Sequence, residues 1–274
     1  PVQPDVILAI ITVVRWWARR SAGRKVGTGK KAALFAGCLV NYQATDVGKA
    51  TVQVLEKNGV EVALPDQSCC GMPSFDIGDT AAMVAAAERT IASLKSWVDQ
   101  GYDVVIPTPS CSLMVKREYV SLVAGDEAKR VAEHTYDISE YLMKMKREGG
   151  LALDFTQKPG RVAYQVPCHL RDQNIGFKSK ELMECAGAKV EVIEKCSGHD
   201  GSWSAKVEFF PLSMKIAQKA VRMVEQAPAD LVASDCPLAG LQLDQAGAVA
   251  HAGGRSSQHP IQIVRDAYGL PRDP

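Results

Sequence analysis

Two sets of cysteines recur in this chain at nearly the same spacing, and each cysteine lies just past a short apolar run. Thirty residues separate Cys38 from Cys69 and 27 separate Cys168 from Cys196, while 41 separate Cys69 from Cys111 and 39 separate Cys196 from Cys236. Differences this small are loop-sized, so the two stretches read as copies of one unit. In the first copy a predicted strand over 31–36 runs into Gly37-Cys38, and a helix over 49–57 leads to a strand over 60–64 and then to Cys69-Cys70-Gly71. An alanine-rich helix over 80–98 follows, then a strand over 103–106 and Pro109-Ser110-Cys111. The second copy repeats the order: strand 161–166 and Cys168, helix 178–186, strand 189–193 and Cys196, helix 211–226, strand 230–233 and Cys236.

This pattern predicts an α/β fold of two pseudo-repeated β-α-β-α-β units. Right-handed crossovers make the strands of such a unit parallel, so the loops that follow them emerge at one edge of the sheet. Cysteines distant in sequence then converge there. The expected divisions are an N-terminal helical or linker segment (1–29), a first domain (30–148), a polar, glycine-containing linker (149–160) and a second domain (161–274). Starting at Pro1 without an initiator methionine, the chain reads as a piece of a longer protein.

Composition narrows the function. With 32 basic against 31 acidic residues, no field of one sign is available to gather nucleic acid. The apolar stretch 6–14 falls short of the roughly 20 residues a membrane-spanning helix needs. Its charges, Arg15, Arg19 and Arg20, follow the apolar run, the reverse of a secretory signal. An intracellular chain is expected, and its eight cysteines then read as thiols for metal or redox chemistry. A disulfide between the adjacent Cys69 and Cys70 requires a strained ring. Trp16 and Trp17 beside those arginines suit docking at a membrane interface or a partner, or equally a helix packed on its own domain.

Cys38, Cys69, Cys70 and Cys111 are the candidate ligands of a first metal site. Four thiolates that include a vicinal pair suit an iron–sulfur cluster better than a zinc knuckle, whose ligands come in C-x₂₋₄-C pairs. In the second unit Cys168, Cys196 and Cys236 offer three thiolates, and Ser197 stands where the first unit has Cys70. His169, His199 and His259 are candidates for the missing ligand, giving a Cys₃His site for zinc or a modified cluster. The two units are therefore not expected to bind the same thing. Cys185 has no counterpart in the first unit and reads as a small apolar residue of its helix. No Gly-x-Gly-x-x-Gly follows either first strand, and no Ser/His/Asp set is found.

The segments FAGCLVNY, SCCGMP, PSCSLM, VPCHLRDQNIG, KCSGHDGSWSAK, SDCPL and HPIQIV resemble the cysteine-rich CCG-domain family, related to heterodisulfide reductase. Within that family the chain looks like the C subunit of anaerobic glycerol-3-phosphate dehydrogenase and similar iron–sulfur proteins, and the resemblance runs from about Lys30 to Leu270. It implies a cluster of [4Fe–4S] type on Cys38, Cys69, Cys70 and Cys111, with Cys168, Cys196 and Cys236 in the second motif holding zinc or a second cluster. The chain departs from the family's full motif at Met114 and Ala239, where a last cysteine is expected, and at Ser197. The resemblance further implies an iron–sulfur subunit of an oxidoreductase complex, passing electrons from a flavoprotein dehydrogenase toward a quinone or other acceptor. A ferredoxin-like domain upstream of Pro1 and a cytoplasmic location, peripheral on the inner face of the membrane, go with that expectation. Two alternatives stand beside it: a catalytic reductase of the heterodisulfide type, and a zinc-stabilised interaction module without redox function.

Overall fold

The computed structural model describes residues 12–20, 29–204, 206–252, 254 and 256–273. In the first half four short strands, β1 (Lys31–Leu34), β2 (Glu61–Ala63), β3 (Asp103–Ile106) and β4 (Thr135–Asp137), form a parallel sheet in the order β2-β1-β3-β4. In the second half β5 (Arg161–Gln165), β6 (Lys189–Ile193) and β7 (Leu231–Ser234) form a parallel sheet in the order β6-β5-β7. The central strands are continuous apolar runs because helices cover both faces of a parallel sheet. Ala32, Ala33, Leu34, Val104, Val105 and Ile106 are all buried.

The crossover helices follow from their sequence. Helix Thr80–Val98 starts at Asp79, whose carboxylate accepts the Ala82 N–H, and it buries Met83, Ala87, Ile91, Leu94 and Val98 along one face. Helix Thr45–Lys57 begins four residues before the expected position. Gly48 interrupts its apolar period for a packing reason: a Cβ there would lie 2.6 Å from a methyl of Val13. Val13 and Trp16 of the short helix Val13–Arg19 are buried in the same core, and Arg20 closes a bidentate pair with Glu56. The described part of the opening segment thus packs on its own chain. Among the described residues no helix is long and apolar enough to cross a membrane.

The repeat extends further than the cysteine spacing indicates. β4 is followed by helix Ile138–Arg147, capped by Asp137, which accepts the Ser139 N–H while Glu140 reaches back to the Asp137 N–H. In the second half Gln258 makes a single parallel bridge to Ala233 beside β7, and His259 caps helix Pro260–Ala267 in the same way, with Gln262 reaching back. Asp137 lies 26 positions after Cys111, and His259 lies 23 after Cys236. Each half therefore ends in an extended segment and a boxed helix.

These final helices join the halves reciprocally. Helix Ile138–Arg147 packs on helix Lys178–Cys185 of the second half, and helix Pro260–Ala267 packs on Thr45–Lys57 of the first. One apolar core runs through both contacts, with Val47, Leu55 and Leu142 beside Leu182, Ile261 and Val264. Arg265, fully buried, pairs with Asp46 (2.5 Å) and Asp266 (2.9 Å), which fixes the register of that contact. Beneath the second sheet's edge Asp235 accepts from Tyr164 (2.5 Å) and from Ser179, and Ser179 also meets Ser139 of the first half (2.8 Å).

Candidate metal centre

Each first-half cysteine is positioned by a strand end and the helix that follows. After β1, Gly37 turns the chain with φ +62°, and Cys38 falls in the first turn of helix Gly37–Tyr42. After β2, Cys69 and Cys70 precede Gly71, which adopts φ +87° and opens helix Met72–Asp76. After β3, Cys111 sits in helix Pro109–Leu113. Gln67 ties two of these loops together: its Oε1 accepts the Ala36 and Gly37 N–H groups (2.6 and 3.0 Å), and its Nε2 donates to the carbonyls of Leu34 and Pro65 (both 3.2 Å). Tyr119, fully buried, donates its hydroxyl to the Cys70 carbonyl at 2.7 Å. A π-helical turn, Met114–Glu118, directly follows the Cys111 helix, and Met114 is fully buried in the core.

The four sulfurs meet in succession. Cys38 Sγ lies 3.8 Å from Cys69 Sγ, Cys69 interacts with Cys70, and Cys70 with Cys111. Cys111 Sγ in turn rests against the Cys38 loop, 3.1 Å from where a Cβ on Gly37 would stand. Two thiolates on one tetrahedral metal ion, with bonds of about 2.3 Å, stand about 3.8 Å apart, so Cys38 and Cys69 suit a shared metal. Among the described residues, however, no three histidine, cysteine or carboxylate donors close around a single-ion position. The sulfur set is a chain of contacts, not a tetrahedron.

The thiols divide their protons unevenly. Hydrogen bonds from the Cys38 and Cys70 thiols hold Cys69 far below the ordinary thiol range. Cys38 is pushed up chiefly by donating to Cys69, and Cys70 by its contacts with Cys111 and Cys69 together with burial. Backbone N–H groups are aimed at these sulfurs: Leu39 at Cys38, Gly71 at Cys69 and Met72 at Cys70. Such donors favour the thiolate, the form that binds metal.

The second half assembles less. Cys168 opens helix Cys168–Asp172 and receives a hydrogen bond from Cys196, which with nearby Arg171 lowers it to about 5, while Cys196 is raised by the same contact. Gly198 N–H points at Cys196 Sγ (3.4 Å), and only glycine fits there because a Cβ would lie 2.3 Å from the Ser213 carbonyl. Ser197 is buried and its hydroxyl accepts the His199 N–H at 3.3 Å. Cys236 is the N-cap residue of helix Pro237–Gln245; burial pushes its thiol up, and Asp235 and Cys111 add to the rise. That influence of Cys111 marks the two cysteine sets as neighbours.

The histidines take three different positions. His169 Nδ1 pairs with Ser110 Oγ of the first half at 2.8 Å, so the residue before Cys111 touches the residue after Cys168. His199 Nδ1 pairs with Ser204 Oγ at 3.1 Å, and burial lowers its affinity for a proton. His259 is buried, accepts the Ile261 N–H on Nδ1 at 3.1 Å and is lowered to about 3 by burial. It serves as a helix cap, the counterpart of Asp137. Asp76 reaches across from the first half, where its charge acts on the same ground as His169, Asp200 and His199. Gln67, Tyr119, Ser110 and Asp76 carry no motif of their own; the one signal for Gln67 is its place two residues before the vicinal cysteines.

Comparison with known proteins gives two matches within the chain. The CCG cysteine-rich domain family matches residues 32–116 and again 162–244. The chain is 32% identical over 253 residues to lactate utilization protein A of Geobacillus kaustophilus, covering 88% of this chain and 98% of that protein. It is 31% identical over 255 residues to lactate utilization protein A of Geobacillus thermodenitrificans, with 88% and 98% covered. It is 27% identical over 257 residues to the C subunit of anaerobic glycerol-3-phosphate dehydrogenase of Escherichia coli K12, with 92% of this chain and 63% of that protein covered.

Proposed function

The chain belongs to the CCG cysteine-rich domain family, carrying the domain twice, and from that premise we propose that it is the iron–sulfur electron-transfer component of an oxidoreductase complex. The observation that carries this reading is the meeting of four sulfurs, from Cys38, Cys69, Cys70 and Cys111, at the edge of one parallel sheet. Four soft donors strung along successive contacts match a polynuclear iron–sulfur centre better than a single zinc ion. A cluster of [4Fe–4S] type held there supplies one-electron chemistry.

The chain's own residues do the rest. Cys38, Cys69, Cys70 and Cys111 would be its ligands, and the N–H groups of Leu39, Gly71 and Met72 offset thiolate charge at the sulfurs. Gln67 holds the Cys38 and Cys69 loops at a fixed distance. In the second half Cys168, Cys196 and Cys236 would hold zinc or a second cluster, with His169 or His199 completing the set. Cys38, Cys168 and Cys196 are exposed, which leaves the sulfur edge open to a redox partner. The names of the relatives, a dehydrogenase subunit and a lactate utilization protein, support a place in an oxidoreductase complex, in which a flavoprotein dehydrogenase would be the donor and a quinone or similar carrier the acceptor.

An anaerobic redox titration tests this. The purified chain should show a visible chromophore that bleaches on stoichiometric reduction and returns on adding a quinone analogue. A chain that holds metal but shows no reversible redox change would be a zinc-stabilised interaction module instead.

A further inference from the structure

Away from both cysteine motifs, one cysteine lies on the contact that joins the halves. Helix Ile138–Arg147 and helix Lys178–Cys185 pack against each other across the seam, and at one end of that contact Lys146 Nζ stands 2.9 Å from Cys185 Sγ. That separation is usual for nitrogen against oxygen and close for nitrogen against the larger sulfur atom. Lys146 is exposed and Cys185 half-buried, packed on the core shared by both halves. Both backbones are fixed, since Lys146 is in the last turn of its helix and Cys185 is the last residue of the other. Glu181, one turn before Cys185, acts on the Lys146 ammonium from the same side.

We propose that Lys146 and Cys185 form an oxidation-driven covalent cross-link through one oxygen atom, an N–O–S bridge that staples the two halves together. The oxidant is dioxygen. The thiol, the ammonium and one dioxygen give the S–O–NH bridge, one water and one proton. The S–H bond and two N–H bonds break, the O–O bond breaks, and one S–O and one O–N bond form. Sulfur and nitrogen each give up two electrons, and dioxygen takes all four. The first oxidised state of sulfur is the sulfenic level, which thiol reductants reverse, so the bridge opens under dithiothreitol. Neither residue belongs to the cysteine motifs, so the bridge forms whatever those motifs bind.

The full chain, exposed to dioxygen and digested without reductant, provides the test by mass spectrometry. The expected product is a peptide pair joined through Lys146 and Cys185, with the summed mass of the two peptides plus one oxygen less two hydrogens. It should vanish after dithiothreitol and be absent from Lys146→Arg and Cys185→Ser. The thermal midpoint of the oxidised chain should stand above that of Lys146→Arg given the same exposure, and the difference should disappear under reductant. Free Cys185 after exposure, Cys185 oxidised without Lys146, or a joined pair lacking the oxygen would each overturn the proposal.

Discussion

Replacing Gly37 by alanine tests the geometry of the first site where it is tightest. Gly37 sits at φ +62°, and a Cβ there stands 3.1 Å from Cys111 Sγ. The left-handed backbone alone costs an alanine about 1–2 kcal/mol. The sulfur contact adds to that, because Cys111 is buried among Phe35, Ile106 and Leu113 and cannot step back freely. Overpacking of this kind costs about 1–3 kcal/mol. Gly101→Ala is the matching control: φ is +81°, and no atom lies within 4 Å of the added Cβ. Urea unfolding should place Gly37→Ala below Gly101→Ala by the overpacking share, about 1–3 kcal/mol. Iron occupancy should fall only in Gly37→Ala. Equal stability losses, with the visible spectrum unchanged in both, would refute the placement of Cys111 against the Cys38 loop.

Gln67→Leu keeps the volume but leaves the Ala36 and Gly37 N–H groups without their acceptor; a loss of about 1–3 kcal/mol and a faster loss of the chromophore under chelator are expected, measured by urea titration and absorbance decay. Two buried carboxyls should contribute less stability as pH rises. Burial raises Asp235 to about 6 and Asp137 well above its ordinary value, so the folded state holds protons that the unfolded chain has released. The contribution of these two carboxyls is then full below about pH 4 and declines upward through pH 6, with Asp235 alone accounting for about 3 kcal/mol; Asp137→Asn should flatten the slope in chemical denaturation between pH 4.5 and 7.5. The two halves should differ in metal: native mass spectrometry of the full chain after Cys168→Ser with Cys196→Ser should retain the first-half cluster mass, whereas Cys69→Ser with Cys70→Ser should not.

The strands and the cysteine loops were legible because buried parallel strands are short apolar runs and each ends at a thiol. What escaped had a different signature. β4 is the tripeptide Thr135-Tyr136-Asp137, too short to carry a period, and its counterpart is the single bridge at Gln258; the signal present was the capping box after each. The Asp137–Glu140 box is a familiar pattern, but His259–Gln262 is not, since caps are usually serine, threonine, aspartate or asparagine, and the histidine read as a ligand candidate. The start of helix Thr45–Lys57 was hidden by Gly48, whose reason is a neighbour 35 positions away, Val13. Gln67 and Ser110 work through tertiary hydrogen bonds that no local pattern announces. Trp16 and its basic neighbours read equally as a docking element or as a helix packed on its own domain, and the structure takes the second because Val13 and Trp16 share one helical face with the core.

If Cys38, Cys69, Cys70 and Cys111 together hold one iron–sulfur cluster, the vicinal pair is indispensable to it. Metal and acid-labile sulfide analysis of the anaerobically purified chain, combined with electron paramagnetic resonance before and after reduction, decides the matter when Cys69→Ser with Cys70→Ser is run beside the parent chain. Iron and sulfide are expected in the parent, with a paramagnetic signal in one redox state, and both should be lost in the double variant. Zinc without sulfide in the parent, or an unchanged signal in the variant, would overturn the assignment.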